Sequence, residues 1–200
     1  MFWYEEDVKN LENKAPQLAA NAETLFYGSS SIRMWETLEK DFADIKPANL
    51  GFGGSTLAAC VWFFERIMSP YHPKKLVIYA GDNDLGDGCH PEEVFIFFQE
   101  LVTKVQKRFG NLPCYFISLK PSPNRAYLMD SFKYTNKIIE AEISQNQPCW
   151  RYIDVFSQMI GQDGKPKSEY YTGDGLHLSP LGYQQWTAIV KQQLKENINC

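Results

Sequence analysis

Histidine is scarce in this chain of 200 residues, the cysteines occur without close pairs, and positive charge is not in excess. His72, His90 and His177 are the three histidines, so a mechanism that needs an imidazole has few candidates. The five cysteines show no C-x-x-C spacing, which argues against a zinc knuckle and against a compact disulfide framework. The net charge of −4 leaves no basic surplus to neutralise phosphates, so we expect no nucleic-acid partner.

Long apolar runs are also missing. No stretch is as long as a membrane-spanning helix, and we expect no stable membrane insertion. The start of the chain, Met-Phe-Trp-Tyr-Glu-Glu-Asp, is acidic and lacks the positive beginning of a secretory signal. An odd number of cysteines favours free thiols in a reducing compartment. We therefore expect a cytoplasmic location, although an exported chain without its leader would begin in the same way.

The chain does contain a regular alternation of short apolar runs and segments with helical spacing. The apolar runs predict five strands, over 24–27, 48–52, 75–80, 113–119 and 151–156. Helical spacing predicts helices over 35–42, 57–68, 91–110, 131–144 and 180–196, with residues 1–23 as a leading helix or arm. The length fits a single domain. This order of elements predicts an α/β fold with a five-stranded parallel sheet covered by helices on both faces.

Polar clusters follow the first three predicted strands. They are Gly28-Ser-Ser-Ser31, Gly53-Gly-Ser-Thr56 and Gly81-Asp-Asn-Asp84. Parallel sheets bind ligands beyond the carboxyl ends of their strands, near the point where the strand order reverses. We therefore expect Ser30, Gly54 and Asn83 to face one another, although they are distant in sequence.

A second polar segment, residues 174–177 (Asp-Gly-Leu-His), lies just ahead of the last predicted helix. A serine hydroxyl needs a neighbouring base in order to attack a carbonyl, and imidazole suits that task near neutral pH. Asp174 would hold the ring of His177 in one tautomer if the segment forms a tight turn. His72 and His90 each precede a proline at a turn or helix boundary, so we place both outside the site. The residue types alone do not choose among Ser29, Ser30 and Ser31.

Acyl transfer through a serine also requires fixed donors for the oxyanion of the tetrahedral intermediate. Gly54 offers a backbone N–H in a loop where a larger side chain would block the approach of a ligand. Asn83 offers a side-chain NH₂ group. The N–H of the attacking serine is a third donor.

Taken together, these segments resemble the blocks of the SGNH hydrolases, which are also called GDSL esterases and lipases. Residues 26–35 (Phe-Tyr-Gly-Ser-Ser-Ser-Ile-Arg-Met-Trp) resemble the first block, whose usual Gly-Asp-Ser core places the nucleophile at Ser30. Residues 49–56 (Asn-Leu-Gly-Phe-Gly-Gly-Ser-Thr) resemble the second block, which places the oxyanion glycine at Gly54.

The later blocks follow in the family's order. Residues 81–84 match Gly-x-Asn-Asp and place the oxyanion asparagine at Asn83. Residues 174–177 match Asp-x-x-His and place the acid at Asp174 and the base at His177. The resemblance extends from residue 25 to about residue 186, which is most of the chain.

The resemblance implies a three-layer α/β/α sandwich of flavodoxin-like topology. It also implies ester hydrolysis through an acyl-enzyme, a small-molecule ester substrate, and no metal or organic cofactor. Sites in this family are usually shallow, which favours small acyl groups such as the acetyl esters of carbohydrates. One departure is Ser29, which occupies the position where the family usually has aspartate.

Several alternatives stay open at this point. Ser29, Arg33, Asp82 and Arg125 are candidate substrate contacts. The Asp82-Asn-Asp84 segment alternatively forms a solvated turn or half of a cation site, because short oxygen-bearing side chains suit calcium or magnesium. A lysophospholipase, a thioesterase and an acyltransferase are alternative activities. A degenerate binding module that recognises an acylated ligand without turnover is the alternative from another functional class.

Overall fold

The structure is a computed structural model that describes residues 1–196, 198 and 200. Its centre is a five-stranded sheet in which all paired strands are parallel, in the order β2-β1-β3-β4-β5. The predicted parallel sheet is therefore confirmed. The strands are β1 (Thr24–Gly28), β2 (Pro47–Gly51), β3 (Lys75–Tyr79), β4 (Cys114–Ile117) and β5 (Trp150–Ile153).

Helices cover both faces of this sheet, as the alternation of elements predicted. Successive side chains of a strand point to opposite faces, so Leu25 and Tyr27 of β1 join one apolar cluster and Phe26 joins the other. The first cluster is covered by α1 (Glu5–Leu18), α4 (Leu57–Met68), α6 (Pro91–Phe109) and α7 (Met129–Asn146). The second is covered by α2 (Ser30–Arg33), α3 (Leu38–Asp41) and α8 (Pro180–Lys195). A further short helix, α5 (Asp82–Gly86), follows β3.

The helix predicted over 35–42 is wrong in its bounds, because α3 is confined to Leu38–Asp41 and a turn separates it from α2, which ends at Arg33. Trp35 lies in that turn and is buried against Phe42 and Trp186. Its indole N–H donates to the carboxylate of Asp41 over 3.0 Å, and Thr37 donates to the same oxygen over 2.6 Å. This packing, rather than local helix propensity, determines the path of the chain.

Strands β4 and β5 end earlier than predicted. Ser118 directly follows β4, and its hydroxyl accepts hydrogen bonds from the N–H groups of Val155 and Phe156, each over 3.0 Å. A side chain thus replaces the backbone ladder after Ile153, which ends the pairing although the apolar run continues. Two further turns, β1 to α2 and β3 to α5, lie at the same carboxyl edge of the sheet.

Residues 1–23 form a helical arm, with a 3₁₀ turn over Phe2–Tyr4 that leads directly into α1. Helix α1 packs on α4, where Arg66 pairs with Glu5 over 2.8 Å and with Glu12 over 2.9 Å. Within the described ranges, no helix has the length and apolar character needed to cross a membrane. All five cysteines, which are themselves described, are free thiols.

Candidate active site

The serine loop begins where β1 ends, at Gly28. Its φ of +143° lies in the region that favours glycine. A Cβ at this position would also overlap the carbonyl oxygen of Tyr79 on the neighbouring strand. The N–H of Ser29 donates to that same carbonyl over 2.9 Å, and the chain then turns into α2. Ser29 and Ser31 are buried, with 1% and 2% of their surface exposed, whereas Ser30 is half-buried. Among the three adjacent serines, Ser30 is therefore the one that solvent and substrate can reach.

Residues 174–177 form the tight turn that the sequence predicted. Gly175 has a φ of +64°, and the Oδ1 atom of Asp174 accepts hydrogen bonds from the N–H groups of Leu176 over 2.8 Å and His177 over 3.0 Å. The other carboxylate oxygen lies 2.6 Å from Nδ1 of the His177 ring. The structure thus joins the predicted acid and base directly.

The Asp174 carboxylate is held in its charged form. Burial acts to raise its pKa, but the hydrogen bond with His177, the two turn amides and the Thr172 hydroxyl outweigh burial and keep the pKa well below its usual range. Because a carboxylate can only accept, Nδ1 of His177 carries a proton, and in the neutral imidazole Nε2 then presents a lone pair. The pair has the form required of a general base and the group that orients it.

Hydrogen bonds from distant residues hold both this turn and the serine loop. Asn124 donates from its backbone N–H to the carbonyl of Gly175 over 3.0 Å and from its side chain to the carbonyl of Asp174 over 3.2 Å. The hydroxyl of Tyr183 on α8 donates to the carbonyl of Ser31 over 3.1 Å. In the described part of the chain, the Ser30 hydroxyl makes no hydrogen bond to the His177 ring, a contact that commonly tightens only when substrate binds.

Asn83 lies on α5, immediately after β3. Its side-chain NH₂ donates to the carbonyl of Ser55 over 3.1 Å, and its Oδ1 accepts from Nη2 of Arg125 over 2.9 Å. Because the guanidinium can only donate, the amide end beside it is the oxygen Oδ1, and the NH₂ end faces the loop that contains Gly54. One of its two hydrogens remains available to a ligand.

Gly54 lies in the loop between β2 and α4. Its φ is +65°, and a Cβ built on it would meet no protein atom within 4 Å. The position therefore requires glycine because of its left-handed backbone, while the space around it is open. Its N–H has no partner among residues 1–196, 198 and 200. The N–H of Ser30, at the start of α2, is also without a partner in those ranges.

The two carboxylates that flank Asn83 are both engaged in internal contacts. Asp82 is buried and lies 3.1 Å from Nζ of Lys120 and 3.5 Å from Nη1 of Arg125. Burial acts to raise the pKa of Asp82, but these two cations outweigh it and lower the pKa. Asp84 accepts from the first N–H groups of α4, those of Leu57 over 2.6 Å and Ala58 over 3.1 Å.

Burial raises the pKa of Asp84 to about 6, although the two amide hydrogen bonds act to lower it. Asp84 therefore serves the start of α4, and Asp82 serves an internal ion pair. In the part of the chain that the structure describes, no group of three or more His, Cys, Asp or Glu side chains could hold a metal ion. The geometry does not favour the cation-site interpretation of this segment.

The four candidate substrate contacts differ in their placement. Ser29 and Asp82 are buried, so neither presents surface to a substrate. Arg125 is half-buried and is occupied by Asn83 and by the carbonyl of Asp82, to which it donates over 2.8 Å. Arg33 is exposed, and its guanidinium lies beside Gly53, about 3 Å from the position that a Cβ would take there. Arg33 is thus the one of the four that borders the open face of the loop.

Sequence reasoning missed the residues that support this site from outside the motifs. Thr172 is one of them, since it donates to Asp174 over 2.8 Å. Its position two residues before an aspartate is a local signal for such a turn. Lys120 is another, since it is buried beside Asp82, and nothing local in the sequence distinguishes a buried lysine from an exposed one.

The comparisons with known proteins concern the family and the fold. The sequence profile of the GDSL-like Lipase/Acylhydrolase family matches residues 23–185. No curated protein sequence matches the chain. Many solved structures share its fold, and three of them are described next.

A candidate platelet activating factor from Streptococcus pneumoniae has a TM-score of 0.82 at 21% identity and covers 96% of this chain and 94% of its own. A candidate acylhydrolase from Bacteroides fragilis has a TM-score of 0.81 at 20% identity, with 95% and 98% covered. A GDSL-like lipase from Bacteroides thetaiotaomicron has a TM-score of 0.76 at 21% identity, with 94% and 98% covered. At these identities the likeness shows the fold.

Proposed function

Because the chain belongs to the GDSL-like Lipase/Acylhydrolase family, a family of ester hydrolases, we propose that it is a serine esterase whose nucleophile is Ser30. The observation that carries the proposal is the contact of 2.6 Å between Nδ1 of His177 and Asp174. It prepares an imidazole with a free Nε2 at the carboxyl edge of the sheet, where Ser30 is the accessible serine of its loop.

In the first half of the reaction, Oγ of Ser30 attacks the ester carbonyl carbon while Nε2 of His177 takes the hydroxyl proton. The ionised Asp174 stabilises the imidazolium that forms. The C–O bond to the alcohol then breaks, and His177 gives its proton to the departing oxygen. Water next attacks the acyl-enzyme with His177 again as base, which releases the carboxylic acid and restores Ser30.

Negative charge develops on the carbonyl oxygen during both attacks. The free N–H groups of Gly54 and Ser30 and the remaining amide hydrogen of Asn83 are the donors assigned to it. These groups are fixed before the reaction by backbone and side-chain hydrogen bonds, so they need no reorganisation when charge appears. Removing one such donor typically costs about 10²–10³-fold in turnover.

The openness of the site supports small or exposed acyl groups, such as acetyl esters of carbohydrates. The side chain of Asp174 is 48% exposed and that of His177 is 30% exposed, so the acid and base lie at the surface. A deeply buried acyl chain would need an enclosing wall at this point. We therefore expect turnover to be highest for acetyl esters.

A second candidate, a lysophospholipase or thioesterase, is favoured by a groove beside the acid. This groove has a volume of about 540 Å³ and reaches the acid through Thr172, which donates to Asp174. Its apolar lining includes Met34, Leu178, Pro180, Tyr183 and Ala188. A longer acyl chain that left the serine toward α8 would find apolar contacts there.

Labelling with a serine-directed fluorophosphonate tests the nucleophile. We expect one adduct, on Ser30, and loss of both adduct and esterase activity in Ser30→Ala. Ser29→Ala and Ser31→Ala are matched controls in the same loop. An adduct on either neighbour, or an active Ser30→Ala variant, would overturn the assignment. The absence of adduct and of ester turnover in the intact protein would favour the binding module instead.

A series of p-nitrophenyl esters from acetyl to dodecanoyl separates the two substrate classes. Ala188→Trp is designed to fill the groove from an exposed position on α8. If small acyl groups are preferred, turnover falls with chain length and the variant leaves acetyl turnover unchanged. If turnover rises with chain length and the variant abolishes that rise, the lipid or thioester candidate is correct. Formation of a new ester when an alcohol is added to the reaction as a competing acyl acceptor would indicate an acyltransferase.

A further inference from the structure

The peptide between Gly53 and Gly54 carries the N–H that the proposed mechanism directs at the oxyanion. Glycine stands on both sides of it, and glycine populates positive and negative φ about equally well. A peptide plane flanked by two glycines therefore meets little steric resistance if it rotates by half a turn. Such a rotation would replace the donor with a carbonyl oxygen, which would repel the oxyanion.

Two hydrogen bonds from the helical arm hold the neighbouring peptide planes. On one side, Oδ2 of Asp7 accepts from the N–H of Gly53 over 2.9 Å. On the other side, the hydroxyl of Tyr4 donates to the carbonyl of Gly54 over 3.0 Å. The plane between them is left with its N–H free, in the residues that the structure describes.

The arm is itself anchored, so these two contacts are made from a firm support. Tyr4 is buried, and its ring packs edge-on against Phe52 at 5.6 Å and Phe63 at 6.3 Å between centroids. Arg66 of α4 binds Glu5 and Glu12 on the outer face of α1. Tyr4 and Asp7 thus approach the loop from a helix that is packed on the body of the protein.

We infer that Tyr4 and Asp7 are positioning residues for the oxyanion donor. By fixing the planes before and after the Gly53–Gly54 peptide, they prevent its rotation and keep the Gly54 N–H available to the oxyanion. The inference rests on the proposed esterase function. It also assigns a task in the reaction to the arm, which contacts the loop across 46 and 50 positions of sequence.

The test compares variants of the arm in the full chain by kcat and KM for an acetyl ester. Tyr4→Phe removes the hydroxyl and keeps the ring, and Asp7→Ala removes the acceptor. We expect each to lower kcat about 10-fold, less than the 10²–10³-fold loss for a deleted donor, with KM changed less than about twofold. Asp7→Asn keeps an oxygen that can accept from Gly53, so we expect it to recover most of the loss.

Glu12→Gln is the matched control, since Glu12 lies on the same helix and binds Arg66 without touching the loop. We expect its kcat to equal that of the unaltered protein. Thermal unfolding of all variants identifies any that fail to fold. If Asp7→Ala does not fold, the kcat of Tyr4→Phe decides the question. The inference is overturned if Tyr4→Phe keeps its full kcat while Ser30→Ala is inactive, a result that leaves the esterase proposal intact. An active Ser30→Ala variant would overturn both.

Discussion

Nη2 of Arg125 donates a hydrogen bond of 2.9 Å to Oδ1 of Asn83, and this contact determines that the NH₂ end of the asparagine amide faces the loop that contains Gly54. The two residues are 42 positions apart in sequence. Arg125 was a candidate for touching substrate, but its guanidinium is occupied by Asn83 and by Asp82. In the structure it orients the amide of Asn83, which the proposed mechanism uses as an oxyanion donor.

Replacing Arg125 therefore tests orientation separately from donation. We expect Arg125→Ala to lower kcat about 10-fold with little change in KM, because the amide of Asn83 becomes free to turn. Asn83→Ala removes the donor altogether and should cost about 10²–10³-fold. Steady-state kinetics on an acetyl ester measures both. Arg151→Ala, which removes an exposed pair with Glu196, is the control, and equal losses for Arg151→Ala and Arg125→Ala would contradict the orienting role.

Asp174→Asn tests the charge that orients the base. The amide cannot supply the negative charge that stabilises the His177 imidazolium, so we expect kcat to fall by at least about 10²-fold. Thr172→Val removes one of the hydrogen bonds to the same carboxylate and leaves its charge, so a loss of only a few-fold is expected. Turnover of the two variants at one pH gives the comparison. A Thr172→Val variant as impaired as Asp174→Asn would show that hydrogen bonding, and not charge, is what matters.

Gly28→Ala tests how closely the strands approach beneath the serine loop. A methyl group there overlaps the carbonyl of Tyr79, so we expect a loss of at least about 3 kcal/mol in the free energy of unfolding. Gly164→Ala is the control, because Gly164 also has a positive φ, +77°, but no atom lies near its Cβ position. Its expected loss is about 1 kcal/mol, from backbone conformation alone. Urea unfolding gives both values, and equal losses would refute the steric explanation.

The raised pKa of Asp84 predicts how the free energy of unfolding depends on pH. Its pKa in the folded protein is about 6, above the ordinary value near 4, so between these values the folded state binds more protons than the unfolded state. Its contribution to stability is therefore present at low pH and is lost as pH rises from about 4 to 6.5, by roughly 2–3 kcal/mol.

The comparison of the intact protein with Asp84→Asn isolates this contribution. Asp82 and Asp174 have lowered pKa values and act in the opposite direction, at more acidic pH, in both proteins. Urea unfolding at pH 4.5, 5.5 and 6.5 should show that the difference in unfolding free energy between the two proteins changes steadily with pH. A constant difference would mean that Asp84 does not titrate in this range.

Local patterns in the sequence determined the architecture and the motifs of this protein. Apolar runs of four to seven residues between helical segments predict a parallel sheet, because the strands of such a sheet are buried on both faces and are apolar almost throughout. The Asp-x-x-His spacing predicts its tight turn because a short carboxylate side chain readily accepts from the amides that follow it. Both kinds of information lie within a few neighbouring residues, and the structure shows both.

Tertiary structure alone decided the environment of each side chain. The sequence could not show that Ser29 and Ser31 are buried while Ser30 is accessible, since burial depends on what packs over the loop. Nor could it show that Arg125 serves Asn83, or that Tyr4 reaches Gly54, because these contacts join residues 42 and 50 positions apart. Such contacts depend on how elements that are distant in sequence pack together at one edge of the sheet. Local periodicity and turn preferences contain no information about that packing.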